Sequence, residues 1–336
     1  MQKNASTHHS FIRYTAVLFA LVLGASLGLH AQTCLTAEDM DAATKAALLN
    51  TTQNYFDSIA RGDSATLRQN AIPSLAADFS GIENAVKDNQ STLSGTKPTT
   101  RPPFLLQAEG TAPLERAEFL CGVFGANGQT PDSRVFVIPN LSPGNYGFVT
   151  QDLTTGKGPY TVSYVLQQQG TAWKLGGLFI KSSQVSGHDS NWFATHAREL
   201  KTKGENHAAW FYFQEARDLV VPVTFMSNIT TDKLYDESQA MKPTDLPPAD
   251  LTDSGNTYKT TSLFPLVVDN ELYLVMKYQV ASVANTTTTY QQNMGAMKAL
   301  LAKYPEYRTA FDGLIVRAVE PTGRDYGTML HMKDIK

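Results

Sequence analysis

Tyr160-Thr161-Val162-Ser163-Tyr164-Val165-Leu166-Gln167 and the stretch after it, Ala172-Trp173-Lys174-Leu175-Gly176-Gly177-Leu178-Phe179-Ile180, decide the fold class. Successive side chains of a strand point to opposite faces, so Tyr160, Val162, Tyr164 and Leu166 share one face of the first stretch. The second places Trp173, Leu175 and Phe179 on one side, with Gly177 between them. Gln169-Gly170 is the turn that joins the two. Working back toward Pro102, the same alternation predicts strands at Phe104–Ala108, Ala117–Phe124, Arg134–Ile138 and Tyr146–Gln151. Turn chemistry separates them at Asn127-Gly128, Pro143-Gly144-Asn145 and Thr155-Gly156. The expectation is one long antiparallel meander.

The period before Pro102 is helical. Thr36-Ala37-Glu38-Asp39 reads as a capping start, and Met40, Ala43, Ala47, Leu48, Thr51, Tyr55 and Ile59 fall on one helical face. Arg61-Gly62-Asp63 ends that helix: the glycine takes the left-handed position and Asp63 caps the next helix. Ile72-Pro73 and Phe79-Ser80-Gly81 predict short helices up to about Leu93. Helices first and strands after make the class α+β.

This arrangement resembles the cone-shaped superfamily of nuclear transport factor two and the SnoaL-like proteins. Two segments carry the resemblance: Asn54-Tyr55-Phe56-Asp57-Ser58-Ile59-Ala60-Arg61-Gly62-Asp63 in the first helix and Gly170-Thr171-Ala172-Trp173-Lys174-Leu175 in the last hairpin. It covers about residues 36–182 and implies a sheet curled around a pocket. Tyr55, Phe79, Tyr164 and Trp173 would line that pocket, with a carboxylate such as Asp57, Asp63 or Asp78 as the only available base, because the segment has no histidine. Residues 190–222 resemble a single tetratricopeptide hairpin, with Phe193, Ala197 and Leu200 on the first helix, Gly204 at the turn, and Ala209, Phe213, Ala216 and Leu219 on the second. One repeat does not bury its own apolar face, so the hairpin is expected to dock on the neighbouring sheets or on another protein. Trp192, His207, Trp210 and Tyr212 are its candidate partner-binding residues. The competing reading has Trp210 and Tyr212 docked on the sheets.

Residues 228–257 are polar, contain Pro243, Pro247 and Pro248, and read as a linker with a short helix at Asp232–Met241. Residues 258–336 form a small β-β-α-β-β unit. In it Leu263–Val268 and Glu271–Val280 are joined through Asp269-Asn270, and a helix carries Met294, Met297, Leu300, Leu301 and Tyr304. Leu314–Val319 and Thr328–Met332 close the unit. The chain thus divides into residues 1–31, 32–187, 188–227, 228–257 and 258–336.

Residues 1–31 read as an export leader: Lys3 and Arg13 with no acid, sixteen largely apolar residues from Tyr14 to Leu29, and Leu29-His30-Ala31 before the cut. An uncleaved anchor is the competing reading, but the stretch is short for a membrane span. Export makes Cys34 and Cys121 most simply one disulfide, against two separate buried thiols. Losing Lys3 and Arg13 takes two positive charges from a net −3 and leaves −5. With no basic block, nucleic acid is not an expected partner. His188, His196 and His207 lie close in sequence, with His196 three residues before Glu199, but no His-Glu-x-x-His pair fixes a metal geometry. No elbow motif activates a serine, and no cofactor is expected. The preferred reading is an exported, periplasmic or secreted, non-enzymatic protein that binds a protein partner or a small apolar ligand. The alternative is a pocket isomerase or hydrolase working in the cone. The oligomeric state stays open.

Overall fold

The structure, a computed structural model, describes residues 32–126, 128–248 and 250–336. The segment read as a leader, residues 1–31, and Asn127 of one expected turn lie outside the described residues. The chain opens with a strand, β1 (Gln32–Leu35), and four helices, α1 (Ala42–Arg61), α2 (Ser64–Gln69), α3 (Pro73–Ala77) and α4 (Ser80–Leu93). Asp41, not Thr36, caps α1: its side chain accepts from the Thr44 N–H at 2.8 Å. Thr36 to Asp39 instead closes a turn of its own, with the Thr36 hydroxyl donating to Asp39 at 2.7 Å. Gly62 ends α1 at φ 74°, and Asp63 accepts from the Thr66 N–H at 3.0 Å to start α2.

Strands come next: β2 (Thr99–Thr100), β3 (Phe104–Ala108), β4 (Leu114–Cys121), β5 (Phe124–Gly125), β6 (Gly128–Gln129), β7 (Arg134–Leu141), β8 (Gly144–Thr155), β9 (Gly158–Gln169) and β10 (Ala172–Ser182). They do not make one meander. The main sheet runs β1-β3-β8-β9-β10 with β2 beside β8, while β4 and β7 leave it to form a second sheet. Both faces of the main sheet are therefore covered. Val149, Leu153, Val162, Tyr164 and Leu166 pack with Leu48, Phe56, Ile59 and Phe79 of the helical layer. On the other face Leu106 and Phe148 pack with Phe119 and Phe136 of the second sheet. Gly147 lets α1 lie close, since a Cβ there would meet buried Leu48 at 2.2 Å. The register shifts between Leu175 and Gly177, where one residue without a side chain is inserted. Beyond that bulge Leu178, not Phe179, faces the helices; Phe179 turns away to meet Phe225. Cys34 of β1 and Cys121 of β4 are joined by a disulfide with their Cα atoms 5.1 Å apart, which ties the edges of the two sheets together.

A helical hairpin continues the chain, α5 (Ser190–Thr202) and α6 (Asn206–Val220), turning at Gly204 with φ 83°. The chain then returns to the second sheet as β11 (Met226–Ser227), which pairs with β7. Residues 228–257, read as a linker with a short helix at Asp232–Met241, carry a helix and a strand. Asn228 caps α7 (Ile229–Gln239) with a reciprocal capping box, and β12 (Asp250–Asp253) pairs with the start of β13 (Asn256–Val268). Polar composition reflected exposure, not absence of structure. The last elements are β14 (Glu271–Gln279), α8 (Thr286–Lys303), α9 (Tyr307–Ala310), β15 (Gly313–Val319) and β16 (Asp325–His331), giving a five-stranded sheet in the order β12 to β16. β14 and β15 are parallel, and α8 supplies the long crossover such a pair requires. Hairpin, α7, α8 and one face of this sheet share one core that includes Phe193, Phe211, Phe213, Leu234, Leu274 and Leu300. The protein is thus α+β throughout, with no described helix long and apolar enough to cross a membrane.

Candidate functional site

The four residues expected to line a pocket in the cone are core residues. Tyr55, Phe79, Tyr164 and Trp173 are all buried between the helices and the main sheet. The Tyr164 hydroxyl donates to Gln151 Oε1 at 2.9 Å, and the Tyr55 hydroxyl donates to the carbonyls of Asn70 at 3.1 Å and Trp173 at 3.3 Å. Phe79 and Tyr164 pack between the layers, whereas Tyr55 and Trp173 are packed there and also line a recess. That recess, of about 590 Å³, lies beside α1 and also takes in Asn54, Asp57 and Arg61. Asp57, at its rim, is held by the Gln53 amide at 2.9 Å. Asp63 is a helix cap and Asp78 is exposed. Among the described residues, the buried polar side chains of this unit are hydroxyls and Gln151, with no carboxylate.

The hairpin's aromatic residues are committed to the C-terminal unit. Tyr212 is buried and donates its hydroxyl to the Ala310 carbonyl at 2.7 Å, so it is not a surface group. Trp210 is half-buried, with the Lys242 ammonium 5.8 Å from its ring centre. Trp192 is stacked between the rings of His188 and His196, each 3.7 Å away. His207 turns Nε2 to Asp245 at 2.7 Å and Nδ1 to Glu306 at 3.8 Å, while Tyr304 donates to the same Asp245 at 2.9 Å. Three chain segments are clasped there. The three histidines do not converge, and among the described residues no group of His, Cys, Asp or Glu is arranged to hold a metal.

Among the described residues three buried side-chain oxygens lack a hydrogen-bond partner, on Gln129, Tyr307 and Glu215, and of these Glu215 alone is an acid. Glu215 of α6 comes four residues after Phe211 and three after Tyr212, so helical geometry puts it on the same inward stripe. It is 5% exposed, and its Oε1 is buried with no hydrogen-bond partner. Burial pushes its carboxyl up to about 7, the negative charge of Asp218 adds to the rise, and the Lys181 ammonium partly offsets it. Lys181 itself is engaged elsewhere: it pairs with Asp218 at 2.5 Å and donates to the Asp218 carbonyl at 2.6 Å.

Glu215 lines a cleft of about 530 Å³ between α6 and β13. Its other walls are Gln214, Arg217 and Asp218 of α6, Val221, Thr224 and Met226 after it, Thr231 of α7, and Phe264, Pro265, Leu266 and Val267 of β13. The β13 side is apolar, half of the lining residues are polar or charged, and one carboxyl oxygen among them is buried without a partner; apolar surface with a few placed polar groups is the usual make-up of a ligand site. The sequence did hold a signal for it, a single carboxylate on the apolar stripe of a helix. The facing wall comes from residues about fifty positions later, which no local pattern connects. Models of known protein families, curated protein sequences and solved structures give no match to this chain.

Proposed function

We propose that the protein is an exported, non-enzymatic binding protein whose ligand seats in the cleft between α6 and β13. The ligand has an apolar body and a cationic or hydrogen-bond-donating head, which Glu215 receives. The observation that carries this reading is the unpartnered Glu215 Oε1 in a cleft large enough for a small ligand. A buried polar atom left without a partner costs about 1–3 kcal/mol, more when charged, and a bound donor would relieve that cost. Catalysis would require a second working group beside the carboxyl. The two charged groups that act on Glu215, Asp218 and Lys181, are paired with each other. Export is supported by the leader-like residues 1–31 and by the Cys34–Cys121 bond.

The test is an NMR titration of the protein with primary alkylamines from butylamine to octylamine. The expected result is saturable binding, stronger with chain length, with shifts at Met226 and Phe264 to Val267. Glu215→Gln should weaken it at least tenfold. Amine binding that is unaltered in Glu215→Gln, or shifts scattered over the surface, would reject the reading.

A further inference from the structure

Four consecutive residues of β13, Phe264 to Val267, line the cleft. A strand shows only alternate residues on either face, so consecutive residues around one cavity mean that the strand presents its edge to it. The pairing pattern agrees. β12 covers β13 only as far as Lys259, and from Thr260 onward β13 is paired on one side alone, with β14. The turn at Asp269-Asn270 has φ 50° and 66°, the two-residue hairpin in which Val268 and Glu271 exchange both backbone bonds. The polar backbone groups then alternate in direction along the antiparallel strand, so those of Leu263, Pro265 and Val267 point away from β14. Leu272, opposite Val267, is turned toward β15 in the same way: its N–H donates to Asp312 and its carbonyl accepts from the Asp312 N–H. Pro265 stands at one of these outward positions, where its missing N–H takes nothing from the ladder. Among the described residues no backbone or side-chain bond satisfies the outward groups of Leu263, Pro265 or Val267. Leu266 and Val267 are 43% and 36% exposed.

We infer that the ligand is an extended peptide segment of a partner protein, which adds as a strand to the open edge of β13 and sets a lysine or arginine side chain on Glu215. This rests on the cleft reading above and gives it a chemistry. Main-chain bonds to Val267 and Pro265 supply sequence-independent affinity, and the apolar cleft wall and Glu215 select alternate side chains. The charged groups that face Glu215 are Asp218 and Arg217 on its own helix and Lys181 from β10. Lys181 is held by Asp218, and the Arg217 guanidinium lies 4.9 Å from the centre of the Tyr235 ring, so the incoming cation meets a carboxyl without a competing partner.

The experiment is selection of a random octapeptide library on the immobilised protein, and then titration of the recovered peptides against the protein and two variants. The expected peptides alternate apolar residues and keep one basic residue at a fixed place. N-methylation of alternate peptide amides should abolish their binding, and Glu215→Gln should weaken it tenfold or more. Val267→Pro removes an outward N–H and no ladder bond, and it should weaken peptide binding at least tenfold. Circular dichroism and melting temperature check that both variants fold. Recovered peptides that tolerate N-methylation, or that bind Val267→Pro as tightly as the wild type, would overturn the inference. So would an absence of peptides from a protein that still binds amines, which leaves the cleft reading standing. Loss of both kinds of binding would remove both. A dimer formed through β13 edges in sedimentation runs, with peptides unable to compete, would also overturn it.

Discussion

Glu215 holds its proton more tightly in the folded chain than in the unfolded one, because burial raises its carboxyl from 4.5 to about 7. Between those values the folded state carries a proton that the unfolded state has released, so stability falls as pH rises from about 4.5 through about 7 and is level above. Glu215→Gln removes this dependence. The variant should match the wild type near pH 4 and exceed it at pH 8 by on the order of 3 kcal/mol. Urea unfolding at the two pH values checks this; an equal difference at both would mean that the carboxyl titrates in the ordinary range. Tyr164 makes a contrasting case. Its hydroxyl meets the buried Gln151 amide oxygen, so Tyr164→Phe leaves that oxygen unsatisfied and should cost about 1–3 kcal/mol of stability. Alkylamine affinity should stay the same, because Tyr164 belongs to the packed core of the other unit. A change in amine affinity would return it to the site.

The elements divide by how local their causes are. Gly62 and Asp63 were legible as a helix end because their chemistry acts within one turn. The start of α1 lies five residues after the expected cap: Thr36 closes a turn of its own, and Asp41 caps the helix. The Gly176-Gly177 bulge exchanged the faces of Phe179 and Leu178, since strict alternation assumes an unbroken register. β4 and β7 alternate as well as β8 and β9 do, and nothing local says which sheet a strand will join. Close approach also explains Gly147. Gly147→Val would drive a side chain into Leu48, which has no accessible surface, and should cost about 1–3 kcal/mol by calorimetry. The disulfide closes a separation of 87 residues, for which chain entropy predicts about 4–5 kcal/mol. The double variant Cys34→Ala/Cys121→Ala should lose stability of that order in urea. A loss below about 1 kcal/mol would mean that the unfolded state is little constrained by the bond.

At the scale of the whole molecule, two packed regions meet on both sides of the hairpin, where the chain enters it and where it leaves. β11 pairs back onto the second sheet, and the Ser186 hydroxyl donates to Asp312 at 2.8 Å. The cleft lies beside this return path, which is why a reading of separate domains placed the site elsewhere. The sequence directed attention to the cone and to the hairpin aromatics, both rich in large side chains; the fold packs most of them, and Tyr55 and Trp173 also line a recess beside α1. Glu215 was passed over because its meaning depends on β13, whose edge is left open by a β12 that stops short. The central claim is that Glu215 is an unpaired carboxyl waiting for a donor. Its most direct test is a carbon-detected NMR titration of the Glu215 side chain with and without saturating hexylamine. The account predicts a midpoint near 7 in the free protein that drops when the amine is bound. A midpoint near 4.5 that the amine does not move would contradict it.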